Sequence, residues 1–264
     1  MDYINIILLG IVQGLTEFLP VSSSGHLILI PRLFNFKDQG LAMDAILHLG
    51  TLLAIVIYFR QDLARLIYAL FNRDHDPDYH RLAWHIGWAS FPAGIIGLLG
   101  GDLIEQELRS SSFVAWNLLF WSLVFFAVER YSASQKSTET DISRMTLGQV
   151  LFIGFAQAIA LLPGTSRSGI TITGGMLVNL SPTTAARFSF LLGTPIILAA
   201  GAHKTLHFLS SPINSVHLSG LQLGVGLFVS FTVGYLSIKL LLGIVSRLGL
   251  MPFIIYRVIL ATSI

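Results

Sequence analysis

The chain has 264 residues, of which 53% are hydrophobic and 11% charged, with a formal net charge of +2. A soluble domain carries about 25% charged residues, so this composition excludes an ordinary water-facing surface and describes a chain that meets lipid. A charge this small, with no basic run, argues against a nucleic-acid partner, and the absence of cysteine excludes disulfides, thiolate nucleophiles and cysteine metal sites.

The start of the chain, Met1-Asp2-Tyr3-Ile4, lacks a basic leader and no small-residue cleavage site follows, so the first apolar segment is expected to be retained. Segment 3–19 is apolar but carries Gln13 and Glu17, and it runs into Pro20-Val21-Ser22-Ser23-Ser24-Gly25. The apolar stretch after this break is far shorter than the about 20 residues that cross a bilayer. Apolar stretches of spanning length follow at 42–59, 82–101 and 112–129. Between the first two lies a polar segment, 60–81, whose amphipathic core from Leu63 to Phe71 is expected at the membrane interface. A polar run, 131–145, connects to a second broken segment: 146–162, apolar but for Gln157, and then Pro163-Gly164-Thr165-Ser166-Arg167-Ser168-Gly169. Three more stretches of spanning length close the chain at 184–203, 219–241 and 248–264. The pairs Gly97/Gly101 and Gly220/Gly224 have the small-residue spacing of helix packing.

The two broken segments resemble each other. An offset of 144 residues carries Gly10 onto Gly154, Gln13 onto Gln157, Ser22 onto Ser166, Ser24 onto Ser168 and Gly25 onto Gly169. An offset of 143 carries Gly50-Thr51 onto Gly193-Thr194. Each half therefore reads as one re-entrant hairpin followed by three spans, which sends the second half into the membrane from the opposite side. The expected fold is an all-α polytopic membrane protein built as an inverted repeat, with six full spans and two re-entrant helix pairs. It forms a single domain, 1–264, with halves 1–130 and 146–264 joined by 131–145. Irregular backbone at membrane depth needs protein or a wet cavity around it, so the two breaks are expected to meet near the midplane.

The candidate chemistry lies at these breaks. Ionisable residues inside apolar segments are costly and commonly functional. Gln13 and Glu17 are four apart and share a helix face, so they can converge on a ligand or cation; the alternative is a Glu hydrogen-bonded within the bundle. His26 directly follows the first break, where a structural role is the alternative. Arg167 sits between Ser166 and Ser168 with Thr171 one turn later. Its planar fork of donors matches phosphate oxygens, and the N–H groups of the following half-helix add an anion nest. The alternative for Arg167 is a plain ion pair with Glu17. Asp44 and His48, which share a helix face, are weaker candidates.

At these residues the chain resembles the undecaprenyl-diphosphate phosphatase, or bacitracin-resistance, family. The resemblance is carried by Gln13…Glu17…Pro20-Val21-Ser22-Ser23-Ser24-Gly25-His26 and by Pro163 through Thr171, and it extends along essentially the whole chain. Many members carry Glu where this chain has Gln13, which leaves metal binding to rest on Glu17. The resemblance implies a bacterial plasma-membrane enzyme that hydrolyses undecaprenyl diphosphate to the monophosphate and inorganic phosphate, with bacitracin resistance as a consequence. It also implies a divalent cation, Mg²⁺ or Ca²⁺. Ser166, Arg167, Ser168 and Thr171, with Ser22, are expected to hold the diphosphate, and Glu17 with Gln13 the cation. Ser23 is the preferred nucleophile with His26 as general base; attack by water or by His26 itself fits the residues equally. A translocase of a polyprenyl phosphate lipid is the alternative function, because inverted repeats with broken helices also build transporters.

Charge sets the expected orientation. Arg60, Arg65, Arg73, Arg81, Arg130, Lys136, Arg144, Arg187, Lys239 and Arg247 fall on one side, and Arg32, Lys37, Arg109, Lys204 and Arg257 on the other. The positive-inside rule makes the first group cytoplasmic, which puts both termini outside and the catalytic face toward the outer leaflet.

Overall fold

The computed structural model describes residues 2–33, 40–108, 110–135, 141–210 and 219–264. In chain order the helices are α1 (Tyr3–Phe18), α2 (Ser23–Leu33), α3 (Gly40–Tyr58), α4 (Arg60–Phe71), α5 (Pro77–Glu107) and α6 (Ser111–Ser134). After a single 3₁₀ turn, Ile142–Arg144, follow α7 (Leu147–Ile159), α8 (Arg167–Leu177), α9 (Pro182–Ser210), α10 (Gly220–Leu248) and α11 (Met251–Thr262). Among the described residues there is no strand.

Both breaks expected from the sequence are present. Pro20 keeps Leu19 extended, at ψ 144°, because a residue before proline clashes in the helical region. The chain re-enters a helix only at Ser23, giving the short α2. The second break spans residues 160–166, with Gly164 at φ 95° supplying a turn that favours glycine. Each half-helix beyond its break has 11 residues.

Among the described residues, four helices are long and apolar enough to cross a membrane: Pro77–Gly101 within α5, α6, Pro182–His203 within α9, and α10. Their outward faces are apolar, as at Leu99 (85% exposed) and Trp116 (73% exposed). α3 and α4 together make at most a fifth span and bend by 80° between them. The expected span over 248–264 is instead α11, 12 residues long and set off by Gly249 at φ 61°. A helix of that length rises about 18 Å, well short of the about 30 Å hydrocarbon core. Among the described residues, helix length and composition by themselves support four to five spans. α4 covers the amphipathic segment expected at the interface, with Leu66 and Ala69 buried and Phe71 exposed.

The polar connection is shorter than its composition suggests. Tyr131–Ser134 continue α6, and Ile142 and Met145 are buried anchors at the other end. Residues 136–140, with Lys136, lie outside the described residues, as do Lys37 and Arg109.

Small residues set the packing, but not the pairs expected. α1 lies on α10 where Gly14 faces Gly234, and an added Cβ would stand 2.8 Å from the Gly234 nitrogen. α7 lies on α5 where Gly154 abuts the backbone of Ala89, and α3 on α10 where Gly50 abuts Leu227 and Ser230. Among the described residues, a Cβ at Gly101, Gly220 or Gly224 would meet nothing within 4 Å, so these glycines seat none of the described helices. Beneath the breaks the core is aromatic: Phe18 meets Phe190 edge to face at 5.6 Å, and Phe59 packs on the same ring.

Candidate active site

The two breaks are built alike. Ser22 and Ser166 both hold a left-handed backbone, φ 75° and 76°, which is uncommon for a residue with a Cβ and concentrates at functional sites. Each serine hydroxyl accepts from a backbone N–H three residues on, Gly25 at 3.4 Å and Gly169 at 3.2 Å. Each also lies 3.3 Å from the hydroxyl two residues on, Ser24 or Ser168. Two half-helices thus begin with the same cap, and their N-termini converge, because the Ser168 hydroxyl donates across to the Leu19 carbonyl at 3.1 Å. The first N–H groups of a helix have no intrahelical acceptor and carry its positive dipole end. Two such ends directed at one place make an anion site.

The carboxylate between them is Glu17, one residue from the end of α1 and buried. Its Oε2 accepts from Gln13 Nε2 at 3.0 Å and from the Ser23 hydroxyl at 2.9 Å. Its Oε1 accepts from Arg167 at 3.2 Å, an ion pair between side chains 8% and 13% exposed. The ion pair considered as the alternative for Arg167 is therefore present, but it uses only part of the fork. The other terminal nitrogen, NH1, is buried without a partner. It projects toward Gly193 on α9, where a Cβ would overlap it.

The remaining expected residues are placed differently. Ser22 and Ser166 serve first as helix caps, and the Thr171 hydroxyl is buried against Ser189 at 2.5 Å and the Arg167 carbonyl at 2.7 Å. His26 does not bond Ser23. Its Nδ1 must donate to the Ser22 carbonyl, 2.8 Å away, since a carbonyl only accepts; its Nε2 therefore takes the Tyr256 hydroxyl at 2.7 Å. Asp44 is buried one turn before His48, whose Nδ1 donates to the Asp44 carbonyl at 2.7 Å.

The oxygens available to a hard cation are the Glu17 carboxylate and the Gln13 Oε1, which is buried and unpartnered. Among the described residues no three His, Cys, Asp or Glu side chains cluster around one point. A Mg²⁺-type ion commonly uses one or two carboxylates and completes its shell with water and substrate phosphate, so this donor set fits such an ion only together with substrate.

Four partners escaped the sequence reading. Asn117 on α6 donates to the Pro163 carbonyl and the Thr165 hydroxyl, at 2.8 and 2.9 Å, and so holds the second break. Ser189 and Tyr256 are ordinary in type and carry no signal. Arg257 does carry one, a charge inside an apolar stretch, and it does not join the outer charges with which its sequence position groups it. It is fully buried.

The chain is similar to known proteins along nearly its whole length. Residues 6–263 match the family described as bacitracin resistance protein BacA. The chain is 42% identical to an undecaprenyl-diphosphatase of Saccharophagus degradans, covering 100% of this chain and 97% of that one. It is 45% identical to undecaprenyl-diphosphatase 2 of Stutzerimonas stutzeri (98% and 96% covered), and 41% identical to the undecaprenyl-diphosphatase of Campylobacter concisus (98% and 97% covered). The chain belongs to the bacitracin resistance protein BacA family.

Proposed function

We propose that this protein hydrolyses undecaprenyl diphosphate to undecaprenyl phosphate and inorganic phosphate inside a bacterial plasma membrane. The observation that carries the reading is the Glu17 carboxylate shared by Ser23 and Arg167, the first residues of two converging half-helices. Its relatives bear a hydrolase name, which favours hydrolysis over translocation.

The steps follow from the donors in place. Phosphoryl transfer is mostly positioning and charge stabilisation. The unpartnered NH1 of Arg167 and the free N–H groups of α2 and α8 take the diphosphate oxygens, and the prenyl tail stays in lipid. The Ser23 Oγ attacks the terminal phosphorus while its proton passes to Glu17, along a hydrogen bond already formed. The bond to the bridging oxygen breaks, and undecaprenyl phosphate leaves as an anion. Water then cleaves the serine phosphate: its proton reaches His26 Nε2 by way of the Tyr256 hydroxyl that already donates there, since the proton on Nδ1 is committed to Ser22, and Glu17 returns its proton to the Ser23 oxygen as the phosphate leaves. Ser166, Ser168 and Thr171 act by shaping the start of α8. Glu17 and the Gln13 Oε1 would hold a Mg²⁺ or Ca²⁺ ion, which when bound neutralises phosphate charge.

We further propose the inverted repeat and its orientation. α1 packs on α10 and α7 on α5, so each first half-helix lies against a long helix of the other half, and the matched caps at Ser22 and Ser166 support the same relation. The excess of Lys and Arg then places α4 and the α6–α7 connection in the cytoplasm and the site toward the outer leaflet.

Purified protein in detergent, supplied with undecaprenyl diphosphate and Mg²⁺, should release inorganic phosphate, and Ser23→Ala should lose far more turnover than Ser24→Ala. No release by the wild type would remove the hydrolase reading; ordinary turnover in Ser23→Ala would move the attack to water or His26.

A further inference from the structure

α11 carries two adjacent side chains that reach the two breaks separately. The Tyr256 hydroxyl donates to His26 Nε2 at 2.7 Å, and the rings stack 8° from parallel. Arg257 lies on another face of the helix, turned by about 100° as successive residues are. Its NH2 donates to the Gly164 carbonyl at 3.0 Å and the Leu118 carbonyl at 3.2 Å, and its Nε to the Ser122 hydroxyl at 3.0 Å.

Packing does not explain Arg257. Around it the α6–α11 seam is lined by apolar residues such as Leu118 and Ala261, and an aliphatic side chain could fill the space but would leave the Gly164 carbonyl without this donor. A buried guanidinium is expensive in a membrane and is kept where it has a task. Arg257 has no carboxylate within ion-pair distance among the described residues, and its NH1 is unpartnered. The fixed contact outside the seam is Gly164, whose φ of 95° forms the turn that delivers Ser166 and Arg167. Its guanidinium carbon also lies over the Phe125 ring, 4.9 Å from its centre, and that ring abuts Gly169 at the start of α8.

We propose that the Tyr256–Arg257 pair is a positioning element for the reaction, holding His26 of the first hairpin and the Gly164 turn of the second in one register. Tyr256 serves His26 in both of its protonation states, since a phenol hydroxyl donates to a bare Nε2 and accepts from a protonated one. Arg257 fixes where α8 begins, and through it the direction of the Arg167 fork. The inference rests on the hydrolase reading for its kinetic test only.

That test uses the full-length protein in detergent with undecaprenyl diphosphate, measuring kcat, KM and melting temperature. Tyr256→Phe should lower kcat by about 10-fold or more, the scale of a misplaced catalytic group, with KM and melting temperature near wild type. On a His26→Gln background the same change should cost nothing further. Arg257→Lys, which keeps the charge but loses the three-way grip, should lower kcat at unchanged melting temperature. A folded Tyr256→Phe protein with wild-type kcat and KM would overturn the proposal. So would a loss that persists in full without His26, or an Arg257→Lys protein that loses only melting temperature. The ¹⁵N resonances of His26 read the bond without turnover: Nδ1 should carry the proton, and Nε2 should shift in Tyr256→Phe. An unshifted Nε2 would refute the pairing even if the wild type released no phosphate, an outcome that would instead remove the hydrolase reading.

Discussion

Ser23 and Arg167 stand at the first position of α2 and α8, 144 residues apart in sequence, and both donate to the one carboxylate of Glu17. Their flanking caps coincide, Ser22 with Ser166 and Gly25 with Gly169, while the two side chains differ in chemistry. One position supplies a hydroxyl and the other a fixed cation. A repeated backbone has thus been given two complementary reagents, and the acid that joins them comes from the first half alone, since Leu161 occupies the place matching Glu17.

Arg167→Lys keeps the charge and loses the fork. Lysine can pair with Glu17 or with a phosphate oxygen, but not hold both in fixed directions. Turnover should fall by about 10² to 10³, the cost of removing one transition-state donor, with melting temperature retained. Initial rates of phosphate release by the purified variant measure this, and near-wild-type rates would remove the clamp.

Gly193→Ala tests the same group from behind. A Cβ at this position overlaps Arg167 NH1, so the guanidinium must shift from the direction it holds. The substitution should lower phosphatase activity about as much as Arg167→Lys, although Gly193 supplies no functional group of its own. Alanine also favours helix over glycine, so the melting temperature should not fall in parallel. An active, stable Gly193→Ala protein would show that the fork tolerates displacement.

The breaks and their chemistry were legible because membranes make polar residues conspicuous. Glu17 and Arg167 stand out within apolar runs, and Pro20 and Pro163 mark where helix cannot continue. Span count was less legible, because hydropathy sees that 248–264 is apolar but not that Gly249 ends one helix and leaves only 12 residues for the next. The glycine pairs misled for a related reason: spacing identifies a flat face, and at Gly220 and Gly224 that face meets nothing among the described residues. Hydrogen bonds that turn on rotamers, such as Ser23 choosing Glu17 over His26, leave no trace in sequence.

Outside the membrane, acid should loosen the start of α5. Asp76 caps that helix at Tyr79 N–H and accepts from Arg65 Nε at 2.6 Å. The Arg65 guanidinium holds its carboxyl below the usual carboxylate range. A depressed folded value means the contribution is complete above the unfolded carboxyl value of about 3.9 and is lost as pH falls through the lower folded one. Both partners are partly exposed, so the effect should not exceed about 1 kcal/mol. The melting temperature of wild type should exceed that of Asp76→Asn at pH 6, with the gap closing toward pH 3. A gap that widens on acidification would contradict the assignment.

The proposed orientation is checked by labelling, since no native cysteine gives background. An impermeant thiol reagent on intact cells should modify Ser263→Cys and spare Asp74→Cys, both at exposed positions. The reverse pattern would turn the site to the cytoplasm.

The shared carboxylate is the centre of the account, and Glu17→Gln tests it most directly. The amide keeps the shape and can still bond Ser23 or Gln13. It cannot take the serine proton or pair with Arg167 as an ion, and it brings no negative charge to a hard cation. Phosphate release from undecaprenyl diphosphate by purified Glu17→Gln should fall to background and stay there as Mg²⁺ or Ca²⁺ is raised, in a protein that melts at about the wild-type temperature. Turnover near that of wild type would contradict the central claim.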